Sequence, residues 1–397
     1  MAKEYKDLIV GLDIGTAKIM VVVGEVLAGG DLKLAGLGVA PSNGLKRGAV
    51  VNIDATVASI QQALKEAELI TGSHIRGINS SDMVPIRDKE VTPADVARVV
   101  EAAKAINISS DQRLLLVEPQ EFVIDGQDVR EPVGMSGMRL DAKVHIVTGA
   151  QSAAENIIKC VRRCGLEVDQ LMLNPLASAQ AVLTDDEREL GVACVDVGAG
   201  TTDVAIFAGG AIRHTAVIPI AGDLITSDIA MALRTPTMDA EDIKVAHGCA
   251  KQLLADADTQ VEVPGLGDRT PRLLSRQALA GVIEPRVEEI FQLVQQVIRD
   301  SGFEELLSSG VVLTGGSAVM PGMVELGEDI FLKPVRRGVP KYSRALSDMV
   351  AQPRAATVMG LMEEARAARL RGYKVAQKTG GVQSAFGRLR DFIVGNF

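Results

Sequence analysis

Twice along the chain, runs of apolar and β-branched residues flank a short polar turn. From Asp7 to Leu27 the pattern predicts a strand, a tight turn at Gly15-Thr16-Ala17-Lys18 and a second strand. The stretch GVACVDVGAGTTDVAIFAGG, beginning at Gly191, repeats it: a buried strand ending in Asp, an apolar residue and Gly, then a polar turn and another apolar strand. The repetition predicts two halves of one fold.

Between and after these units the texture changes. More strand-like sequence follows the first unit (DLKLAGLGVA). A helix is then expected from about Asp54 to Leu69, with Asp54 as cap and Val57, Ile60, Leu64 and Ala67 on one face. From Gly72 to Thr148 short strands surround one helix, Thr92 to Ile106, with Thr92 as cap and Pro93 at its first position; this reads as an inserted α+β module. Helix, strand and helix are expected over Gln151–Cys164, Leu166–Leu173 and Pro175–Leu183. The region from Gly222 to Ser308 reads as mostly helical with a polar middle, and it returns through the buried strand GVVLTGG. A last body helix is expected near Arg354–Arg371, followed by a Gly-containing linker over 372–383 and a separate segment, 384–397.

Composition adds an asymmetry to this layout. The chain has 397 residues, 47% apolar and 23% charged, with no Trp, three Tyr and eight Phe. That is long enough for two domains with separate cores, and it excludes disorder, collagen and coiled coil. Three of the eight Phe (Phe386, Phe392, Phe397) lie in the last twelve positions. From Arg366 to the end seven basic residues face one acid, Asp391, a local +6 within a net charge of −9, so the first 365 residues carry −15. An acidic body has no general attraction for nucleic acid, whereas a basic, Phe-tipped tail suits an anionic lipid surface or an acidic partner. Four scattered Cys make no disulfide framework, and Cys160 and Cys164 read as packed thiols. The charged start MAKEYKDLIV is unlike a signal peptide, and no apolar run approaches the ~18 residues a bilayer span needs, so cytoplasmic residence is expected.

The chemistry lies in the glycine turns. Three segments each close a buried strand: Asp13-Ile14-Gly15-Thr16; Asp196-Val197-Gly198-Ala199-Gly200-Thr201-Thr202-Asp203; and Thr314-Gly315-Gly316-Ser317 with Met320-Pro321-Gly322. Backbone N–H groups approach phosphate oxygens closely where no Cβ intervenes, and Thr hydroxyls add donors. Gly15, Thr16, Gly198, Gly200, Thr201 and Thr202 fit that need, while Gly315 and Gly316 would let an adenine-ribose lie flat against the chain. Asp13 and Asp196, at the ends of their strands, can hold the waters of Mg²⁺, an ion that keeps much of its hydration shell.

These three segments resemble the phosphate-1, phosphate-2 and adenosine motifs of the actin, chaperone-ATPase and sugar-kinase superfamily. Within it the chain is most similar to the FtsA family of bacterial cell-division proteins, on the strength of GSHIRGINSSDMVPIRDKEVTPADV, DLITSDIAMALRTP and a short amphipathic C-terminal segment. The resemblance spans essentially the whole chain. It implies an α/β, actin-like two-domain fold with an inserted α+β 1C subdomain. The expected division is a domain 1 core at 1–71, 149–189 and 334–371, the 1C subdomain at 72–148, domain 2 at 190–333 with an outer part at about 225–300, a linker at 372–383 and a membrane helix at 384–397.

The resemblance also implies ATP and Mg²⁺ as ligands, with Gly15, Thr16, Gly198, Ala199, Gly200, Thr201, Thr202, Gly315, Gly316 and Ser317 at the nucleotide. The implied partners are FtsZ, meeting the outer part of domain 2, further copies of the chain, later division proteins and anionic inner-membrane lipid, which puts the protein at the cytoplasmic face of that membrane. Whether ATP is hydrolysed stays open; Asp203 and Asn174 are the candidates for handling the attacking water. A small-molecule kinase of the same superfamily, with Asp203 as base, and an actin-like adaptor of pilus assembly are the alternatives. Two departures from the family pattern stand out. The helix ending near Leu69 runs through Ile70 and Thr71 directly into Gly72 where a further strand and turn are usual, so the first domain's sheet is expected to lack a strand or be rebuilt. Ala221-Gly222 also replaces paired glycines.

In the tail, at ~100° per residue, Phe386, Leu389, Ile393 and Phe397 share one apolar arc that Phe392 borders, with Arg390 inside it. Arg388 and Asp391 lie opposite, Ser384 is a candidate cap, and Arg390 must snorkel toward headgroups. The segment reads as an in-plane membrane helix worth roughly 5–8 kcal/mol before ordering costs, a reversible anchor that many copies on one surface would reinforce.

Overall fold

The protein is described by a computed structural model covering residues 8–371, except 28, 66–68, 71–74, 87–88, 107, 169, 268 and 343–346. The proposed linker and membrane helix, with Phe386, Arg388, Leu389, Arg390, Phe392, Ile393 and Phe397, therefore lie outside the described residues.

The first half begins with an antiparallel meander of β1 (Leu8–Ile14), β2 (Lys18–Val26) and β3 (Leu32–Pro41). In β2 the run Ile19–Gly24 is buried on both faces, as a continuous apolar sequence requires. A short hairpin, β4 (Leu45–Lys46) and β5 (Ala49–Val50), leads to α1 (Ile53–Leu64). The α1 cap is Asn52, whose Oδ1 accepts from the Ala55 N–H at 3.1 Å, and Asp54 lies in the first turn where its charge faces the positive helix end. After α1 comes β6 (Leu69–Ile70), which pairs in parallel with Asp13 and Ile14.

The segment from β7 (Ile75–Pro85) to β10 (Arg139–Ala150) builds its own sheet, ordered β7-β10-β8-β9, with β8 at Gln112–Ile124 and β9 at Gln127–Val129. Against it lies α2 (Pro93–Ala103), started by a reciprocal capping box between Thr92 and Asp95 with Pro93 in the first turn. Val99, Leu140, Val144 and Ile146 form its separate core. Then follow α3 (Gln151–Arg163), α4 (Asn174–Val182) and α5 (Asp185–Leu190).

The second half repeats the plan with β11 (Val192–Val197), β12 (Thr202–Ala208) and β13 (Ala211–Ile218). Its outer part holds α6 (Gly222–Leu233), α7 (Thr237–His247), the β14–β15 hairpin (Gln260–Val263, Arg272–Ser275) and the long α8 (Arg276–Asp300). The chain returns through β16 (Val311–Thr314), α9 (Met323–Phe331) and β17 (Val335–Arg337), completing the order β13-β12-β11-β16-β17. Last come α10 (Ser347–Val350) and α11 (Ala356–Leu370).

The two sheets correspond up to one point. β1 and β11 each pair antiparallel with the next strand and parallel with a later one, Asp13 standing opposite Leu69 and Asp196 opposite Thr314. Among the described residues, however, the first sheet has four strands (β3-β2-β1-β6) and the second has five. The stretch expected as a strand at Leu166–Leu173 forms none among its described residues. In the second half, β16 pairs in parallel with β17.

Helix α4 lies against β11, β12 and β16, α11 lies against β1 and β2, and the two helices pack on each other between the halves. A Cβ added at Gly360 would sit 1.7 Å from the Ala177 carbonyl oxygen, so this crossing needs glycine. The 75–150 module docks on β13: Gln120 donates to the Ile212 carbonyl at 2.6 Å, Arg213 pairs with Glu121, and buried His145 meets the Thr215 hydroxyl at 3.0 Å.

Candidate functional site

The two halves bring the three glycine turns together. A Cβ placed on Gly200 would stand 2.6 Å from Thr16 Oγ1, one on Gly222 the same distance from Ser317 Oγ, and one on Gly315 only 2.2 Å from Asp196 Oδ1. Gly315 also has φ +91°, in the region glycine favours. Gly316 faces open space, with nothing within 4 Å of an added Cβ. The Gly198–Thr201 turn is closed by a Gly198 N–H to Thr201 carbonyl bond of 3.0 Å, and Asp223 N–H reaches the Ala199 carbonyl at 2.8 Å.

The hydroxyls differ in what they leave available. Thr202 Oγ1 donates to the Ile220 carbonyl at 2.7 Å and Ser317 Oγ to the Gly198 carbonyl at 3.0 Å, so both hold backbone in place. Thr16 Oγ1 accepts from the Gly48 N–H at 3.0 Å, which leaves its own hydrogen to donate. Thr201 leans toward Asp203 Oδ2 at 3.4 Å.

Three buried carboxylates line this junction, and all are held above the ordinary Asp range. Asp13 is pushed up by burial, opposed by Lys18, whose Nζ lies 3.1 Å from Asp13 Oδ2 and 2.7 Å from the Arg354 carbonyl. Asp196 is raised by burial, opposed by a hydrogen bond from Ser178, and Asp13 adds repulsion. Asp203 is raised furthest, by burial and by the Asp196 charge. Three acids facing one lysine form a donor set short of positive charge. Among the described residues no three His, Cys, Asp or Glu side chains converge closely enough to hold an ion directly. Buried carboxylates at the ends of two strands, Asp13 and Asp196, are the kind of donor that a hydrated cation such as Mg²⁺ takes. Asn174 stands beside Asp203, its Nδ2 3.5 Å from Oδ2, and its own Oδ1 is buried without a hydrogen-bond partner.

A family model described as cell division protein FtsA matches residues 193–360, and one described as the SHS2 domain inserted in FtsA matches 72–148. The cell division protein FtsA of Pseudomonas aeruginosa is 57% identical over 368 residues, covering 89% of this chain and 88% of that protein. The chain belongs to the FtsA family. The FtsA of Neisseria meningitidis is 48% identical over 406 aligned residues, covering 97% of this chain and 98% of its own length. Among solved structures, the PilM–PilN type IV pilus biogenesis complex is similar at 19% identity with TM-score 0.64, over 90% of this chain and 98% of that one. MreB5 of Spiroplasma citri bound to AMPPNP follows at 16% identity and TM-score 0.55, over 93% and 99%. These likenesses show the actin-like fold.

For an FtsA-family chain the sequence motifs located the glycine turns and the carboxylates, but not their supports. Lys18 was visible in the first turn as a cation two residues after Thr16. Ser178 and Thr357, which reach Asp196 from α4 and α11, carry no local signal beyond a hydroxyl among small residues. No helix among the described residues is long and apolar enough to cross a membrane.

Proposed function

We propose that this FtsA-family protein binds Mg-ATP between its halves, self-associates, and anchors FtsZ filaments to the inner face of the cytoplasmic membrane, where later division proteins are recruited. One observation carries the nucleotide reading: turns from both halves converge on three buried carboxylates, of which Asp13 is paired with Lys18. Gly15, Thr16, Gly198, Ala199, Gly200 and Thr201 would face phosphates, with Thr202 and Ser317 shaping the loops. Gly315 and Gly316 would face adenosine, and Asp13 and Asp196 the waters of Mg²⁺. Lys18 would leave Asp13 to meet phosphate oxygens. The unpartnered Asn174 Oδ1 is an acceptor suited to orienting a water, with Asp203 beside it; Mg²⁺, when bound, would polarise the phosphates.

The membrane and partner readings rest on the tail sequence and on the outer part of domain 2. That part exposes Met231, Met238, Val245, Leu253, Leu254 and Leu273, a set of apolar side chains suited to protein contacts. Nucleotide titration tests the first reading: Asp13→Ala or Asp196→Ala should weaken Mg-ATP binding in a folded protein, and unchanged affinity in both refutes it. Co-sedimentation with anionic liposomes of the full chain against one ending at Gln383 tests the anchor; equal pelleting removes it.

A further inference from the structure

The proposed metal site is joined to the packing of the two halves through two hydroxyl groups. Ser178, on α4, donates to Asp196 Oδ2. Thr357, on α11, lies 3.4 Å from the same oxygen and 3.0 Å from Ser178 Oγ. All three side chains are buried. Asp196 belongs to the sheet of the second half and α4 packs under that sheet, whereas α11 packs on β1 and β2 of the first half. Both helices share one buried cluster with residues of β1, β2, β11 and β12, so both hydroxyls reach Asp196 from the layer between the two sheets.

The position of this triad along the two helices matters. Ser178 adjoins Ala177, whose carbonyl packs against Gly360, and Thr357 lies one turn before Gly360 on α11. The closest contact between the helices and the hydroxyl pair on Asp196 are therefore one structural unit. Any change in how α4 and α11 cross alters the Thr357 contact, and any pull on Asp196 is felt at the crossing. Thermodynamic linkage makes such a coupling reciprocal.

We propose that Ser178 and Thr357 are positioning residues for Asp196: they hold its carboxylate for a hydrated Mg²⁺ and make metal-dependent nucleotide binding depend on the α4–α11 crossing. This deepens the Mg-ATP reading above and rests on it. A hydroxyl donating to a carboxylate is a charge-assisted bond, stronger than a neutral one and directional, so its loss lets the carboxylate rotate in a buried site. Ser178 reaches the carboxylate from α4 and Thr357 from α11, so its orientation depends on how the two helices cross.

The test is the ratio of ATP affinity with Mg²⁺ to ATP affinity in EDTA, measured by calorimetry on the full chain, with circular dichroism melting as a check on folding. Ser178→Ala should lower that ratio about tenfold, the size expected for one hydrogen bond to a charged group, with EDTA affinity unchanged. Thr357→Val should lower the ratio in the same direction, and Thr357→Ser, which keeps the hydroxyl, should restore it. Because the Thr357 pair differs by hydroxyl and methyl alone, it decides the matter if Ser178→Ala does not fold. An unaltered ratio in the folded variants, or an equal loss of affinity with and without Mg²⁺, overturns the assignment while leaving Mg-ATP binding standing. A wild-type protein that binds ATP equally well in Mg²⁺ and EDTA overturns both.

Discussion

Gly315 and Asp196 are in contact across the junction of two of the glycine turns: a Cβ on Gly315 would fall 2.2 Å from Asp196 Oδ1 and 2.6 Å from the Val197 carbonyl oxygen. The φ of +91° adds a second barrier to any side chain there. Gly315→Ala should therefore displace the Asp196 carboxylate and cost about 1–3 kcal/mol of stability. Thermal melting and ATP titration check it, and a variant with wild-type values in both would show that the turn tolerates a side chain.

The raised Asp203 carboxyl gives a prediction of opposite sign. Because its pKa in the folded protein lies above the ordinary 3.8, the group's contribution to stability is full below that value and is lost as pH rises through the folded-state pKa. At neutral pH Asp203 therefore burdens the metal-free protein. Asp203→Asn should raise the melting temperature in EDTA by about 2–4 °C and lose the benefit of added Mg-ATP. A lower melting point in EDTA would contradict the assigned repulsion.

His145 links the 75–150 module to β13, and burial together with the His214 charge holds it down to about 4. A pKa lowered from 6.5 contributes stability above the unfolded value, lost as pH falls toward 4. Across the sheet His145 stands opposite Glu118, whose carboxyl burial pushes up, while Glu121 nearby is held low by Lys143 and Arg213. Stability should fall by about 3 kcal/mol between pH 6.5 and 4 from this one group. His145→Gln should flatten that part of the profile in denaturant titrations at several pH values; an identical slope would remove His145 as the cause.

Gly360 fixes how closely α4 and α11 approach. Gly360→Ala puts a methyl 1.7 Å from the Ala177 carbonyl oxygen, so the helices must separate or tilt. A loss of about 1–3 kcal/mol in unfolding free energy is expected, together with weaker Mg-ATP binding because Ser178 and Thr357 move with the helices. Wild-type behaviour in both measurements would mean that the crossing relaxes without reaching Asp196.

Much of the architecture is local in origin and was legible for that reason. The strand–glycine–strand pattern around Gly15 and Gly198 is written in neighbouring residues, as is the Thr92-Pro93 start of α2, and both are present. The helix cap at Asn52 rather than Asp54 is a shift of two positions, because either side chain has the right chemistry and only the path of the chain selects one. The absence of a strand among the described residues of 166–173 was not legible. Val168 and Leu171 have strand-like character, but a strand forms only where tertiary packing brings a partner edge alongside, which local residue type does not record.

By itself, then, the sequence determined the repeated half-folds, the glycine turns, the carboxylates at their strand ends and the basic, Phe-tipped tail, because each is a matter of residue type at short spacing. Tertiary structure decided which hydroxyls stay available. Thr202 and Ser317 are drawn to backbone carbonyls 18 and 119 residues away, and Ser178 and Thr357 are brought to Asp196 from 18 and 161 residues away. A hydroxyl bonds whatever acceptor folding brings within about 3 Å, and no periodicity in the chain records that distance.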